Sequence, residues 1–554
     1  MLDLSSRKIK SLQLNFPRKQ IFSAITLTLI CYLVFFYGLG DYALWDPDEG
    51  RTGVIAKEMV ASGNWLTLTH NGEPYYDKPA LFFWLVALGL KTLGLSELPV
   101  RLPSALAASL TVGVVFLWGS LSGSWRGGLW GALILATSVE FMALGRFGNT
   151  DMVFTFFLTA ALLYFLWWKK SGRGAVWPFY LFLAFAFLTK GPAGLVLPFL
   201  IVGIVLALRR EWSFWREMRL LQGMALVILV SGSWYLLAAF RDPEYIKTFL
   251  WNHNVLRFFT SRQGIDHPEP VYYLFLILIG GFLPWIFYLP SVLNNLWERR
   301  GNEGEEERLF LAVWAATVMV FFSLAHNKLG TYILPAFPPL ALLTGDVVGQ
   351  FVAGQEAKPK RDRWILYGSL VWLFLLFTIP PLSEILLAHR YPQYFPVGLP
   401  PFFAALFFLL AVLGWILKRE RWTPWIVSFS SLWLVLWFYG VKAHEISELR
   451  STRSLAQIVN RNAAKEYRVI AVRSESIAFY LSNHVQWVPH PGVVETLLEE
   501  PIPTVALVKE KHIKEMNRIH PSKLFVWKRI PSGNALVANV PLTNAHDLGS
   551  TLKR

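Results

Sequence analysis

The chain has 554 residues, 54% of them hydrophobic and 16% charged, with a mean hydropathy of +0.41. An average soluble domain is roughly a quarter charged, so this composition excludes a soluble protein and indicates an integral membrane protein. The formal net charge of +15 invites a nucleic-acid reading, but the basic residues are scattered through short loops between apolar runs, where they set topology instead of building a basic face.

Arg7, Lys8, Lys10, Arg18 and Lys19 precede the run "IFSAITLTLICYLVFFYGLG" (21–40), a candidate span over about 20–39. It is longer than a signal-peptide core and no small-residue cleavage site follows it, so it is expected to remain as a first span. It holds Cys31, the one cysteine in the sequence, which leaves no intrachain disulfide and no cysteine metal cluster. Further apolar runs of bilayer length lie at 101–121, 127–145, 151–168, 176–190, 192–208, 220–240, 271–295, 308–325, 331–351, 364–388, 399–418 and 422–441, for an expected thirteen spans. The stretch "PALFFWLVALGLKTLG" (79–94) is ambiguous, because as a helix it is about 24 Å long against a hydrocarbon core of ~30 Å. If it rests on the membrane surface, the clusters "KKSGRG" (169–174), "RREWSFWREMR" (209–219), "KPKRDR" (358–363) and "KRER" (418–421) all fall on the cytoplasmic side. If it crosses, they all fall outside, so thirteen spans with a surface helix at 79–94 is the expected topology.

The sequence therefore divides into an all-α polytopic membrane domain over 1–445, with long outer loops at 40–100 and 241–270, and a small soluble α/β domain over 446–554. In the latter, "YRVIAVR" (467–473), "PTVALVK" (503–509), "KLFVWKRI" (523–530) and "ALVANV" (535–540) read as strands, with helices over 454–465 and 509–519 between them. No glycine-rich phosphate loop follows a strand there, which suits docking or stability and not catalysis.

Chemistry gathers in the outer loops. "DPDEGR" (46–51) sets Asp46, Asp48 and Glu49 beside Arg51, and the same loop continues to Tyr75, Tyr76, Asp77 and Lys78, with Pro79 suited to the first turn of the surface helix. On its own the acid motif also reads as a solvated turn. The next outer loop carries Arg146, Asn149 and Asp151; loop 241–270 carries Asp242, Glu244, His253, Arg257, Arg262 and His267; the loop after the ninth span carries His326, Lys328 and Tyr332. Acids and bases from at least four loops on one membrane side suit a phosphorylated lipid substrate: Lys and Arg neutralise phosphate oxygens, and a carboxylate takes a proton or orients a nucleophile. Individually the histidines read as hydrogen-bonded loop residues, and Lys190 in "LTKGP" (188–192) as an end charge snorkelling to the interface.

The segments "DPDEGRTGVIAKEMVASGNWLTLTHNGEPYYDKPALFFW" (46–84), "NTDM" (149–152), "LTKGP" and "FFSLAHNKLGTYILPAFPPLALL" (321–343) resemble the bacterial lipid A aminoarabinose transferases, which are related to the protein O-mannosyltransferases and share the GT-C glycosyltransferase fold. The resemblance runs in order over about residues 20 to 350. It implies that Asp48 is the principal catalytic acid, with Glu49 and Arg51 beside it, and that Asp151 is a second-loop acid. It implies a carrier-phosphate site containing Tyr75, Lys78 and Tyr332, joined by Lys328 and by His253, Arg257 or His267 from the loop after the seventh span. Asp77 stands where those enzymes carry a glutamate associated with a divalent metal such as zinc, and its shorter side chain departs from that pattern. The implied reaction transfers a sugar, with inversion, from a polyprenyl-phosphate donor such as an undecaprenyl phosphate sugar. The acceptor is lipid A or another glycan or protein at the outer face of the bacterial inner membrane. The partners are thus the lipid-linked donor, the acceptor and membrane lipids, with no nucleic acid. Within the same fold the alternative is a protein O-glycosyltransferase; from another class it is a transporter or flippase, although such proteins place their charges near the bilayer midplane and here they cluster in loops.

Overall fold

The computed structural model describes residues 18–541 apart from 123, 257–267, 302–303, 355–358, 388–400, 418, 463–466, 472–474, 483–484, 489–490, 520–524 and 530–532. The first apolar run forms helix α1 (Arg18–Phe36). The loop that follows is not irregular. The acid motif opens helix α2 (Asp48–Ser62), with Asp48 and Glu49 in its first turn, where carboxylates suit the positive end of the helix dipole. The helix stops at Gly63, whose φ of 69° is the left-handed conformation that ends helices and that glycine adopts without steric cost. A two-residue hairpin, β1 (Thr69–His70) and β2 (Glu73–Pro74), leads to α3 (Leu81–Leu93). Helix α3 begins two residues after Pro79, so that proline precedes the first turn instead of occupying it. Its 13 residues make about 20 Å of helix. It buries Phe82, Phe83, Val86, Ala87 and Leu90 while leaving Leu85, Leu88 and Leu93 exposed, so it is apolar on every side, as suits a lipid setting.

Next come α4 (Glu97–Leu121), α5 (Trp125–Thr137), α6 (Val139–Gly145), α7 (Thr150–Ser171), α8 (Trp177–Lys190), α9 (Ala193–Leu208), α10 (Leu220–Arg241), α11 (Tyr273–Gly281), α12 (Trp285–Glu298), α13 (Glu305–Leu324), α14 (Gly330–Ala353) and α15 (Glu420–Lys442). Among the described residues seven helices (α1, α4, α7, α10, α13, α14 and α15) are long and apolar enough to cross a membrane, or nine if each of two bent pairs counts as a span. The thirteen expected spans are not reached by length and composition: α8 and α9 have 14 and 16 residues, and the regions 364–388 and 399–418 adjoin or include residues outside the described ones. The bent pairs are α5 with α6, at 68°, and α11 with α12, at 100°. The breaks are stitched to each other. The Val139 amide donates to the Leu283 carbonyl at 3.2 Å, and the Trp285 indole donates to the Thr137 hydroxyl at 3.0 Å. The first bond pairs a backbone amide freed at one break with a carbonyl of the other, and the second links the two breaks through side chains. Close approach of α5 to α14 relies on glycine: a Cβ on Gly345 would collide with the Gly131 backbone.

The C-terminal domain contains α16 (Arg453–Asn462), β3 (Arg468–Ala471), α17 (Glu475–Tyr480), β4 (Val485–Trp487), α18 (Pro491–Glu499), β5 (Thr504–Lys509), α19 (Glu510–Ile519), β6 (Phe525–Arg529) and β7 (Asn534–Ala538). The sheet order is β4-β3-β5-β7-β6, with β3 parallel to β4 and β5, and β7 antiparallel to β5 and β6. Alternate residues feed two cores: Val469, Ala471, Val505 and Leu507 pack with Leu455 and Val459 of α16, while Ile470, Ala506 and Val508 pack with Val494, Ile513 and Met516 on the other face. The four expected strands and two expected helices are present; β4, α17 and α18 were not anticipated.

Candidate active site

Helix α2 is the first wall of the site. Its 3.6-residue repeat puts Asp48, Arg51 and Thr52 on one face, and the Arg51 guanidinium lies 3.6 Å from the Asp48 carboxylate. The Asp48 side chain is 54% exposed, so it remains available to a substrate. Tyr75 and Lys78, from the segment between the hairpin and α3, form the second wall together with Phe83. Asn149 and Thr150, at the start of α7, form the third, and the Asn149 side chain caps that helix by accepting from the Asp151 amide at 3.1 Å. These residues line one small cleft.

Asp151 stands next to this wall. Its carboxylate forms an ion pair with Lys190, and the charge of Lys78 also acts on it. The Lys190 ammonium lies 4.4 Å from the centre of the Tyr332 ring, a cation–π contact that brings Tyr332 into the same cluster. The Lys190 side chain is 15% exposed, so it is not a snorkelling end charge as its sequence position suggested. It is the residue that sequence reasoning undervalued. Its signal lay in the "LTKGP" match, which gave no role to the lysine.

Asp77 meets His253 of the segment Lys247–Leu256: its Oδ1 lies 3.1 Å from the imidazole Nδ1, while Oδ2 accepts from the Tyr75 hydroxyl at 3.3 Å. Burial, and then the neighbouring Asp77 charge, hold the Tyr75 phenol well above its usual pKa, so it stays a neutral donor. Two more bonds tie loop 241–270 to this wall. The Tyr76 hydroxyl donates to Asp242 at 2.5 Å and the Tyr245 hydroxyl donates to the Lys78 carbonyl at 3.3 Å. Among the described residues no group of three or more His, Cys, Asp or Glu side chains could hold a metal. Asp77 and His253 make two donors where a catalytic zinc site uses three protein ligands, so no step is derived through a metal. Arg257 and His267 lie outside the described residues.

Two expected site residues are placed elsewhere. Glu49 points away from the cleft and is 0% exposed. It accepts from Nε and Nη2 of Arg101, both at 2.7 Å, from the Trp45 amide at 2.9 Å and from the Gly148 amide at 3.0 Å. Arg101 is likewise fully buried and spends its remaining donors on the carbonyls of Leu39, Tyr42 and Ala43. A carboxylate with four donors and no exposure is a structural tie between the start of α2, α4 and the loop before α7. Lys328 is 4% exposed and donates to the Glu269 carbonyl at 2.6 Å, holding the bridge between Pro268 and Asn327, and burial lowers its pKa. It does not line the cleft.

Residues 77–235 match the family model described as dolichyl-phosphate-mannose-protein mannosyltransferase. An undecaprenyl phosphate-alpha-4-amino-4-deoxy-L-arabinose arabinosyl transferase of Edwardsiella ictaluri is 33% identical over 354 residues, 62% of this chain, and the match spans 62% of that relative's length. An uncharacterized protein of Aquifex aeolicus is 32% identical over 398 residues, 70% of this chain and 75% of its own. The crystal structure of ArnT from Cupriavidus metallidurans bound to undecaprenyl phosphate superposes with a TM-score of 0.78 at 24% identity, covering 93% of this chain and 98% of that one. An oligosaccharyltransferase of Archaeoglobus fulgidus shares the fold more distantly, with a TM-score of 0.52 at 11% identity, over 89% of this chain and 70% of that one. These matches show that the chain belongs to the aminoarabinose transferase-like family and has the GT-C fold.

Proposed function

We propose that the protein transfers a sugar from a polyprenyl-phosphate carrier, with inversion at the anomeric carbon, to lipid A or a related acceptor at the extracytoplasmic face of the bacterial inner membrane. The observation that carries this reading is the single cleft in which Asp48 and Arg51 of α2 meet Tyr75 and Lys78. The names of the relatives supply the substrate class: the Edwardsiella enzyme is named for an undecaprenyl phosphate aminoarabinose donor.

In this reading the carrier phosphate sits against Lys78 and Arg51, and the exposed Leu85 and Leu88 of α3 give its polyprenyl tail an apolar path. The acceptor oxygen bonds to the anomeric carbon from the face opposite the carrier. The bond from that carbon to the phosphate oxygen breaks, and its electron pair leaves with the phosphate. The negative charge that grows on the leaving group is stabilised by the two cations, in place before the reaction begins. Asp48 takes the proton of a hydroxyl acceptor; a phosphate acceptor is already ionised and needs only orientation. The Lys190 ammonium pairs with Asp151 and so limits the pull of that carboxylate on Lys78, which leaves the Lys78 ammonium for the carrier phosphate.

Replacing Asp48 with Asn keeps the shape and removes the charge. With undecaprenyl phosphate aminoarabinose as donor and lipid A as acceptor, transfer is expected to fall by roughly 10²- to 10⁴-fold, the range of a general base. A variant that transfers at the wild-type rate refutes the assignment. The competing acceptor within the fold is a protein hydroxyl, favoured by the protein mannosyltransferase model that matches residues 77–235. Mass spectrometry of lipid A and of periplasmic proteins, from cells with and without the protein, decides between them by which loses one sugar mass.

A further inference from the structure

The soluble domain meets the membrane domain along a third face of α2. Gly50, Gly53 and Lys57 follow one another at i, i+3 and i+7 of α2, which is one stripe of its surface, separate from the Asp48, Arg51 and Thr52 face, and Asp46, two residues ahead of the helix, lies beside Gly50. Helix α17 of the C-terminal domain lies along this stripe and is held at both ends. At its start the Asp46 carboxylate accepts from the Ser476 amide at 2.6 Å and from the Ser476 hydroxyl at 2.9 Å. At its end the Lys57 ammonium donates to the carbonyls of Ala478, Phe479 and Leu481 at 2.8, 3.2 and 2.6 Å. An acid at the amino end of a helix and an ammonium on its last carbonyls match the signs of its dipole. Between the grips there is no slack. A Cβ on Gly50 would stand 2.5 Å from the Ser476 nitrogen, and one on Gly53 would stand 2.7 Å from the Phe479 ring. The Tyr480 hydroxyl closes the joint by donating to Glu97 at 3.0 Å and accepting from the Leu44 amide at 2.7 Å.

Resting on the transferase reading above, we infer that Lys57 and Ser476 are positioning residues of the reaction. Through them the C-terminal domain fixes the rotation of α2 about its own axis, and hence the direction in which Asp48 and Arg51 face the cleft. The lever is short and direct. Side-chain atoms stand roughly 5–6 Å from a helix axis, so a turn of about 10° moves the Asp48 carboxylate by about 1 Å. A displacement of that size in a reacting group costs on the order of 10²-fold in rate. Neither Lys57 nor Ser476 lines the cleft, so their effect on the reaction reaches it only through α2.

The test uses the full chain, with the donor and acceptor named above. Lys57→Met removes the ammonium and keeps most of the side-chain volume; kcat is expected to fall about 10- to 100-fold, with KM for the donor rising in the same variant because Arg51 turns with Asp48. Lys57→Arg, which can still reach the carbonyls, is expected to restore most of the lost kcat, and amide exchange over 48–56 is expected to quicken in the Met variant alone. Unchanged kcat in a folded Lys57→Met protein overturns the inference. So does a fall in thermal stability with kcat intact, which marks a joint that only supports the fold. Should Lys57→Met fail to fold, Ser476→Ala, which deletes only the hydroxyl contact, is read by the same criteria. Asp48→Asn run alongside separates the two failures. If it is inactive while both joint variants keep kcat, only this inference falls; if it is fully active, the transferase assignment has already failed.

Discussion

The buried pair of Glu49 and Arg101 offers the sharpest separation of a structural acid from a catalytic one. Both side chains are 0% exposed, and the pair is bidentate, with two contacts of 2.7 Å. Replacing Arg101 with Met leaves the Glu49 charge with only the Trp45 and Gly148 amides as donors, in a place water does not reach. Breaking one side of such a pair costs about 3–5 kcal/mol, because the remaining charge is desolvated without compensation. At about 1 °C per kcal/mol for a chain of this length, thermal unfolding of the detergent-solubilised protein should drop by roughly 3–5 °C. Glu49→Gln is the more telling variant. It keeps the volume and an acceptor oxygen but points an amide NH₂ at a guanidinium that has only donors, so it should also lower the unfolding temperature, with transfer by the folded fraction largely retained. A Glu49→Gln protein that unfolds at the wild-type temperature and has lost transfer would return Glu49 to the chemistry and refute this reasoning.

Lys190→Met strips Asp151 of its ion-pair partner and leaves Lys78 as the nearest cation. Lys78 should then be drawn toward Asp151 and away from the carrier, raising KM for the donor by about tenfold, one charge-assisted contact of ~1.4 kcal/mol or more, as steady-state kinetics would reveal. Lys78→Met removes a phosphate contact used in both ground and transition states, so kcat/KM should fall by at least as much; equal kcat/KM in wild type and variant would exclude Lys78 from the carrier site. Chelation by EDTA should change transfer by less than twofold, because Asp77 and His253 are two donors among the described residues, and a loss of activity restored by zinc would count against that reading.

What was legible in the sequence was mostly period and company. The apolar runs and the switch to strands near residue 467 follow from hydrophobic patterning, and each recurs in the structure. Strand β4 was missed because three residues carry no readable alternation, and it is held by pairing with β3. Lys328 was misjudged because a lysine in a loop gives no sign of whether its ammonium faces water, a phosphate or, as here, a backbone carbonyl. The partnership of Lys190 with Asp151 spans 39 residues and two helices, beyond the reach of any local pattern.

The acids of "DPDEGR" show where the reading ran out and why. Taken as a loop, Asp46, Asp48 and Glu49 are interchangeable, and any of them can be placed in a site. Once Asp48 and Glu49 lie in the first turn of a helix, with Asp46 two residues ahead of it, geometry allots them different directions, since successive helical residues are turned by about 100° and cannot share a face. Asp48 goes with Arg51 and Thr52 to the cleft, Asp46 with Gly50, Gly53 and Lys57 to the C-terminal domain, and Glu49 turns inward to Arg101. The cues for a helix were present in the acidic first turn and in Gly63. The allotment therefore failed at the choice of local structure, one step before any question of chemistry arose. It follows that the acid already next door cannot stand in for Asp48: in an Asp48→Asn protein the Glu49 carboxylate still faces Arg101 and not the sugar, so transfer stays lost.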